Sequence, residues 1–182
     1  DHFAEYVHPQ RGVIDLHGLS DVNWAAVAHA VATPGQQDAL WPRLMSEPAF
    51  WRGDMPTQTV SKPFAYREWE FFSAHEDVGF AIPVGQLYDV AAMGRVWFLE
   101  WQACVRRREF TRLRESVVKV CQAGLKDGGS WHERYHPLEA GGVDFTGPRG
   151  YGEYPAILVR AVLGNPQVFA DVGAFQWNRP GV

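Results

Sequence analysis

Apolar residues recur at helical spacing along most of this chain, and two-residue alternation is scarce. The first such segment is SDVNWAAVAHAVATPG. Ser20 or Asp21 suits an N-cap, Trp24, Val27, Ala28 and Val31 form one stripe, and Thr33-Pro34-Gly35 reads as a stop. A second helix is predicted over residues 36–45, with Leu40, Leu44 and Met45 inward and Pro42 inside it. Residues 46–85 follow as a long irregular stretch with four prolines, dense aromatics and room for a short helix near Tyr66 to Phe72.

A third helix is predicted over residues 84–107, from Leu87, Val90, Ala91, Gly94, Trp97, Phe98, Trp101 and Val105. A fourth, over residues 109–126, repeats the pattern with Phe110, Leu113, Val117, Val120, Cys121 and Leu125, and Asp127-Gly128-Gly129 ends it. The fifth is EYPAILVRAVLGNP, with Pro155 in its first turn and Gly164 at its end. It is apolar nearly all round, so deep burial is expected. The order predicts an all-α fold of antiparallel helical hairpins. The short links lie at one end, and the long aromatic-rich loops, 46–85 and 127–152, share one rim.

Composition sets the class. A chain of 182 residues with 46% hydrophobic and 21% charged residues is an ordinary globular chain, read as one domain over residues 1–182. The eight Trp fit either a sugar-stacking cleft or a large aromatic core. A net charge of −4 without a basic face argues against a nucleic-acid partner. The run Arg106-Arg107-Arg108 reads as a solvated helix end. Cys104 and Cys121 make no disulfide framework and read as reduced core thiols. No apolar run is long enough to span a bilayer and no signal peptide is visible, which favours a cytoplasmic setting. The chain starts at Asp1 without a Met, as a processed chain or a piece of a longer one would.

The chemistry concentrates in GSWHERYHP and the glycine-rich run after it. Glu133 lies among aromatics, and Glu153 stands at the start of the fifth helix, where a carboxylate also suits the helix dipole. Two carboxylates at a cleft, in environments that separate their pKa values, are what acid/base hydrolysis requires. His132 and His136 share a face only on a helix, which Pro137 and the glycines oppose, so no metal site is expected. No nucleophile elbow, Walker loop or dinucleotide fingerprint is present, and no cofactor is expected.

Two motifs resemble a family. DVNWAAVAHAVATPGQQDALWPRL looks like the recurrent hairpin of the six-hairpin glycosidases, whose (α/α)6 toroid carries a sugar cleft at one end. SWHERYHP followed by GYGEYPAILVRAVLG resembles the late loop and helix of inverting members such as α-L-rhamnosidases and amylo-1,6-glucosidases. By that resemblance the chain is the C-terminal portion of a toroid, with the other half on a missing segment or another chain. The resemblance implies a glycoside hydrolase with a carbohydrate substrate and Glu133 as the base that activates water. Asp21 is the first local choice for the general acid and Asp77 the second. His17, Trp24, Trp131, His132, Tyr151 and Glu153 are the substrate-binding candidates, with Trp131 the foremost stacking platform and Trp51 and Trp69 further ones. Each also has a structural role open to it: ion pairing for Glu133, capping for Asp21 and Glu153, hydrogen bonding for the histidines, core packing for Trp24. Two other functions fit the same residues. One is a non-catalytic helical module that binds glycans or a protein. The other is a polysaccharide lyase or sugar epimerase, in which Tyr135, Tyr151 or His132 abstracts a proton.

Overall fold

The computed structural model describes residues 2–15, 17–62, 91–138 and 142–169. Its fold is mixed α/β, which overturns the expected all-α architecture and the hairpin toroid built on it. The element order is β1 (Tyr6–His8), β2 (Gly12–Ile14), α1 (Asp21–Ala28), α2 (Pro34–Ser46), a 3-10 turn (Pro48–Trp51), β3 (Ala92–Met93), α3 (Gly94–Arg107), α4 (Phe110–Lys126), β4 (His132–Pro137), β5 (Val143–Arg149) and α5 (Glu153–Gly164).

The strands form two antiparallel sheets: the β1-β2 hairpin, and a three-stranded sheet in the order β3-β4-β5. The second sheet occupies most of what reads as the 127–152 loop. Its pairs include Ala92 with Tyr135, Tyr135 with Phe145 and Pro137 with Val143. No clean polar–apolar alternation announces β4, because only Tyr135 among its residues is buried. Instead an aromatic chain fixes the hairpin. His132 stacks on Phe145 at 4.3 Å, Tyr135 meets Phe145 and Tyr154 edge-on at 5.3 and 5.7 Å, and Tyr154 stacks on Trp97 at 6.0 Å. Such ring pairs add about 0.5–1.5 kcal/mol each beyond burial.

The helices start and stop for local reasons. Thr33-Pro34-Gly35 is not a stop but a start: Thr33 and Gln36 form a capping box and Pro34 takes the first turn. The helix before it, α1, ends at Ala28, with Ala30 in the left-handed region (φ 56°), so Val31 leaves the stripe and is 71% exposed. Pro42 is accommodated inside α2. The third helix is shorter than its pattern. Ala92 and Met93 pair with β4, and α3 begins only at Gly94; residues 63–90 lie outside the described part, with Trp69, Asp77 and the helix expected near Tyr66.

Arg108 (φ 60°) turns the chain from α3 into α4, where the Glu109 amide donates to Cys104. The arginines before it are not merely solvated. Arg106 donates to the Ala28 carbonyl, and Arg107 pairs with Asp38 at 2.9 Å, tying α3 to α1 and α2. Expected boundaries of α4 hold to within a residue. So do those of α5, but it is not buried all round: Tyr154, Ile157 and Ala161 face inward, while Val159 and Leu163 are exposed.

One core joins all five helices and the second sheet. Trp24, Val27, Leu44, Phe50, Val96, Trp97, Leu113, Val120, Tyr154 and Ala161 are essentially inaccessible. Glu100 of α3 is buried with them and takes a 2.6 Å ion pair from Arg112 of α4. Cys104 is buried and Cys121 half-buried; both are free thiols, with burial pushing their pKa values up. Among the described residues no helix is long and apolar enough to cross a membrane.

Candidate functional site

A small polar cavity lies where the start of α1 meets the first turn of α3. It measures about 210 Å³ and is lined by Glu5, His17, Ser20, Asp21, Thr59 and Arg95, together with Val22 and Val60. The volume is below the usual range for drug-sized ligands, so it admits one small unit.

Local folding explains each position. The Asp21 amide donates to the Thr59 carbonyl, and the Ser61 amide to the Leu19 carbonyl, so residues 57–61 run alongside the entry to α1. The Asp21 carboxylate accepts from the Val22 amide. Burial nevertheless pushes its pKa up, opposed by that hydrogen bond and by the Arg95 charge, while Glu5 adds to the rise. Glu5, from the turn into β1, holds Nδ1 of His17, whose ring is 3% exposed.

A second group of polar residues adjoins the first through Arg95. Glu153, at the start of α5, accepts from the Arg95 amide at 3.0 Å and from the Tyr151 hydroxyl at 3.3 Å. This carboxylate caps the open end of α3, where exposed amides and the helix dipole favour negative charge. The contact is close, since a Cβ on Gly94 would stand 2.7 Å from the Glu153 Cβ. Charge from Glu153 raises the Tyr151 pKa, helped by burial and Glu133 and opposed by Arg95. Tyr151 therefore keeps its proton more firmly than an ordinary tyrosine, which disfavours it as a base at neutral pH. Tyr135, buried and donated to by the His132 amide, is also shifted upward by its burial.

Of the expected site residues, Asp21 and His17 share the cavity, and Glu153, Tyr151 and Glu133 form the electrostatic cluster beside it. Glu133 packs on Gly147 and approaches Arg134 at 3.4 Å, with 17% of its side chain exposed. The other candidates have structural roles. Trp24 is fully buried. Trp131 donates to the Val120 carbonyl and lies against Gly124 of α4, so it wedges the hairpin onto that helix. His132 is held between Asp127, at 3.5 Å, and the Phe145 ring. Trp51 is engaged by cations, with Arg112 at 3.9 Å and Lys119 at 4.5 Å from its ring centre, so it is no open sugar platform.

Glu5, Thr59 and Arg95 are the cavity residues that sequence reasoning missed. Arg95 falls within the continuous helical pattern of residues 84–107, and only the β3-to-α3 junction brings it to the cavity. Among the described residues no group of three or more His, Cys, Asp or Glu side chains is placed to hold a metal ion. No protein-family model, curated protein or solved structure matches the chain.

Proposed function

We propose that this chain carries an acid/base site for hydrolysis of a glycosidic bond, with Asp21 as the general acid. The observation that carries the reading is a carboxyl lining a small polar cavity, where desolvation favours its protonated form. A general acid needs that proton retained at working pH. Glu133 is the proposed base. It removes a proton from the water that attacks the anomeric carbon, while Asp21 gives its proton to the departing oxygen and the configuration inverts. Inversion needs about 6.5–9.5 Å between the two carboxyls, to leave room for the water. The charges of Glu133 and Arg95 both act on Tyr151, and that of Arg95 acts on Asp21 as well, which supports a pairing of the two carboxylates.

Hydrolysis of aryl glycosides by Asp21→Asn and Glu133→Gln tests the assignment. Each variant is expected to lose about 10²–10⁴-fold in kcat, and the Asp21 loss should shrink with better leaving groups. The wild-type rate should fall as pH rises through the elevated Asp21 pKa, because the acid form is then depleted. Activity within twofold of wild type in both variants sinks the proposal.

A second reading is favoured by one observation: Glu133 is packed on Gly147 and approached by Arg134, as a structural carboxylate would be. A non-catalytic glycan-binding module follows from it. That reading expects sugar binding without turnover in the same assay.

A further inference from the structure

Two buried polar groups on the wall of the α1 cavity find no hydrogen-bond partner among the described residues. The first is Oε1 of Glu5. Its sister oxygen, Oε2, is engaged by Nδ1 of His17, and only 14% of the side chain is exposed. A carboxylate oxygen accepts and cannot donate, so Oε1 calls for a donor. The second is the hydroxyl of Ser20, a residue 1% exposed. Ser20 is the N-cap of α1, a position where the hydroxyl ordinarily satisfies an amide of the first turn, yet it forms no such cap. The Val22 amide goes to the Asp21 carboxylate and the Asn23 amide to the Ser20 carbonyl, so the helix start is served without it.

The two groups do not answer each other, although both line one cavity of about 210 Å³. Both also stand on anchored backbone. The Glu5 amide donates to the Ile14 carbonyl at the end of β2, and Ser20 forms a β-bridge with Val60. Buried polar groups are costly when unpaired, so two of them fixed on one wall mark the place of a partner. Their chemistry selects it. An anion would set a second negative charge against Oε1. An ammonium would serve Oε1 but offer no acceptor to the Ser20 O–H. A vicinal diol offers both: one hydroxyl donates to Oε1 and its neighbour accepts from Ser20.

We propose that Glu5 and Ser20 form a diol-binding subsite, which holds two adjacent hydroxyls of an uncharged sugar ring beside Asp21. The inference rests on the sugar-site reading above and names its substrate class. Glu5 and Ser20 bind and orient the ring and move no proton.

Calorimetric titration of the intact chain with the methyl β-glycosides of D-glucose, D-galactose and D-mannose tests it. At least one is expected to bind. Among the monodeoxy analogues of the tightest binder at C2, C3 and C4, two at adjacent carbons should each lose about tenfold or more in affinity. Ser20→Ala should cancel the loss at one of those carbons and Glu5→Gln the loss at the other, because a missing hydroxyl costs nothing once its partner is gone. The sugar-free melting temperature of Ser20→Ala should equal or exceed that of wild type, since the hydroxyl it removes is unpaired. A lower one gives the hydroxyl a structural role and overturns the subsite. So do failure of all three glycosides to bind, deoxy losses that persist in both variants, and tighter binding of methyl β-D-glucosaminide or methyl β-D-glucuronide than of the glucoside. Failure here is separable from failure of hydrolysis. Diol-dependent binding without cleavage of the matching aryl glycoside removes the catalytic reading alone. Cleavage whose KM is unchanged in Ser20→Ala and Glu5→Gln removes the subsite alone.

Discussion

Arg112→Met is the substitution with the largest consequence that the core permits one to work out. Glu100 is 1% exposed and its carboxylate takes the Arg112 guanidinium at 2.6 Å, between α3 and α4. Methionine keeps most of the side-chain volume but leaves a buried, uncompensated carboxylate, which costs about 3–5 kcal/mol. Lys119 also acts electrostatically on Glu100 and offsets part of that loss, while the ring contact of Arg112 with Trp51 at 3.9 Å is lost as well.

The sign of the pH dependence follows from Glu100. Its folded pKa is raised by burial, with Arg112 pulling it down; removing Arg112 raises it further. A carboxyl whose folded pKa exceeds its unfolded value stabilises the fold below the unfolded pKa, and that contribution is lost as pH rises through the folded pKa. The penalty of Arg112→Met should therefore be small near pH 4.5 and reach its full size only above the elevated folded pKa. Urea unfolding at pH 5 and pH 7, relative to wild type at the same pH, reads this directly. At about 1–3 kcal/mol per molar urea, the full loss moves the midpoint by about 2 M. The double variant Glu100→Leu/Arg112→Met should recover most of it, since no charge remains to desolvate. A pH-independent loss, or a double variant no more stable than the single one, would refute the argument.

Gly147→Ala should destabilise by about 1–3 kcal/mol in thermal melts, because the position has φ 76° and a Cβ there would stand 2.7 Å from the Glu133 Cβ. Replacing Glu133 with Gly in that background removes the opposing Cβ and should restore part of the loss by opening the space. Glu153→Gln removes the charge that most raises the Tyr151 pKa, so the difference in tyrosinate absorbance between this variant and its Tyr151→Phe derivative should show Tyr151 ionising at lower pH than in wild type. Glu153→Ala should in addition cost about 1–2 kcal/mol, because the Arg95 amide at the start of α3 loses its acceptor.

How far the sequence speaks depends on whether the determining forces are local. The ends of α4 and α5 are legible because Asp127-Gly128-Gly129 and Asn165-Pro166 interrupt them within a turn. The β4-β5 hairpin is not legible, because its order comes from rings brought together across the fold: Tyr135 from β4, Phe145 from β5 and Tyr154 from α5. Val143-Asp144-Phe145-Thr146-Gly147-Pro148-Arg149 has the composition of a loop and only one half-buried position. Thr33-Pro34-Gly35 carries both helix-stop and helix-start chemistry, and the capping box with Gln36 decides between them. In the site, Asp21 and His17 stand out by type and position. Arg95 does not, since a lone arginine in a helical pattern looks like a solvated one, and Glu5 reaches the cavity only through its contact with His17.

The cap on α3 comes from a residue 58 positions later in the chain, and β3 waits for its partners Arg134 and Tyr135 on β4, which are also far along the chain. A nascent chain leaves the ribosome from its N-terminus, so α3 emerges with its leading amides unsatisfied and Trp97 without the Tyr154 ring that covers it. Helices α3 and α4, which pack against α5, reach their final environment only after residues 132–154 have been synthesised. The packing of α3 and α4 is thus completed only by the arrival of the hairpin and the first turn of α5.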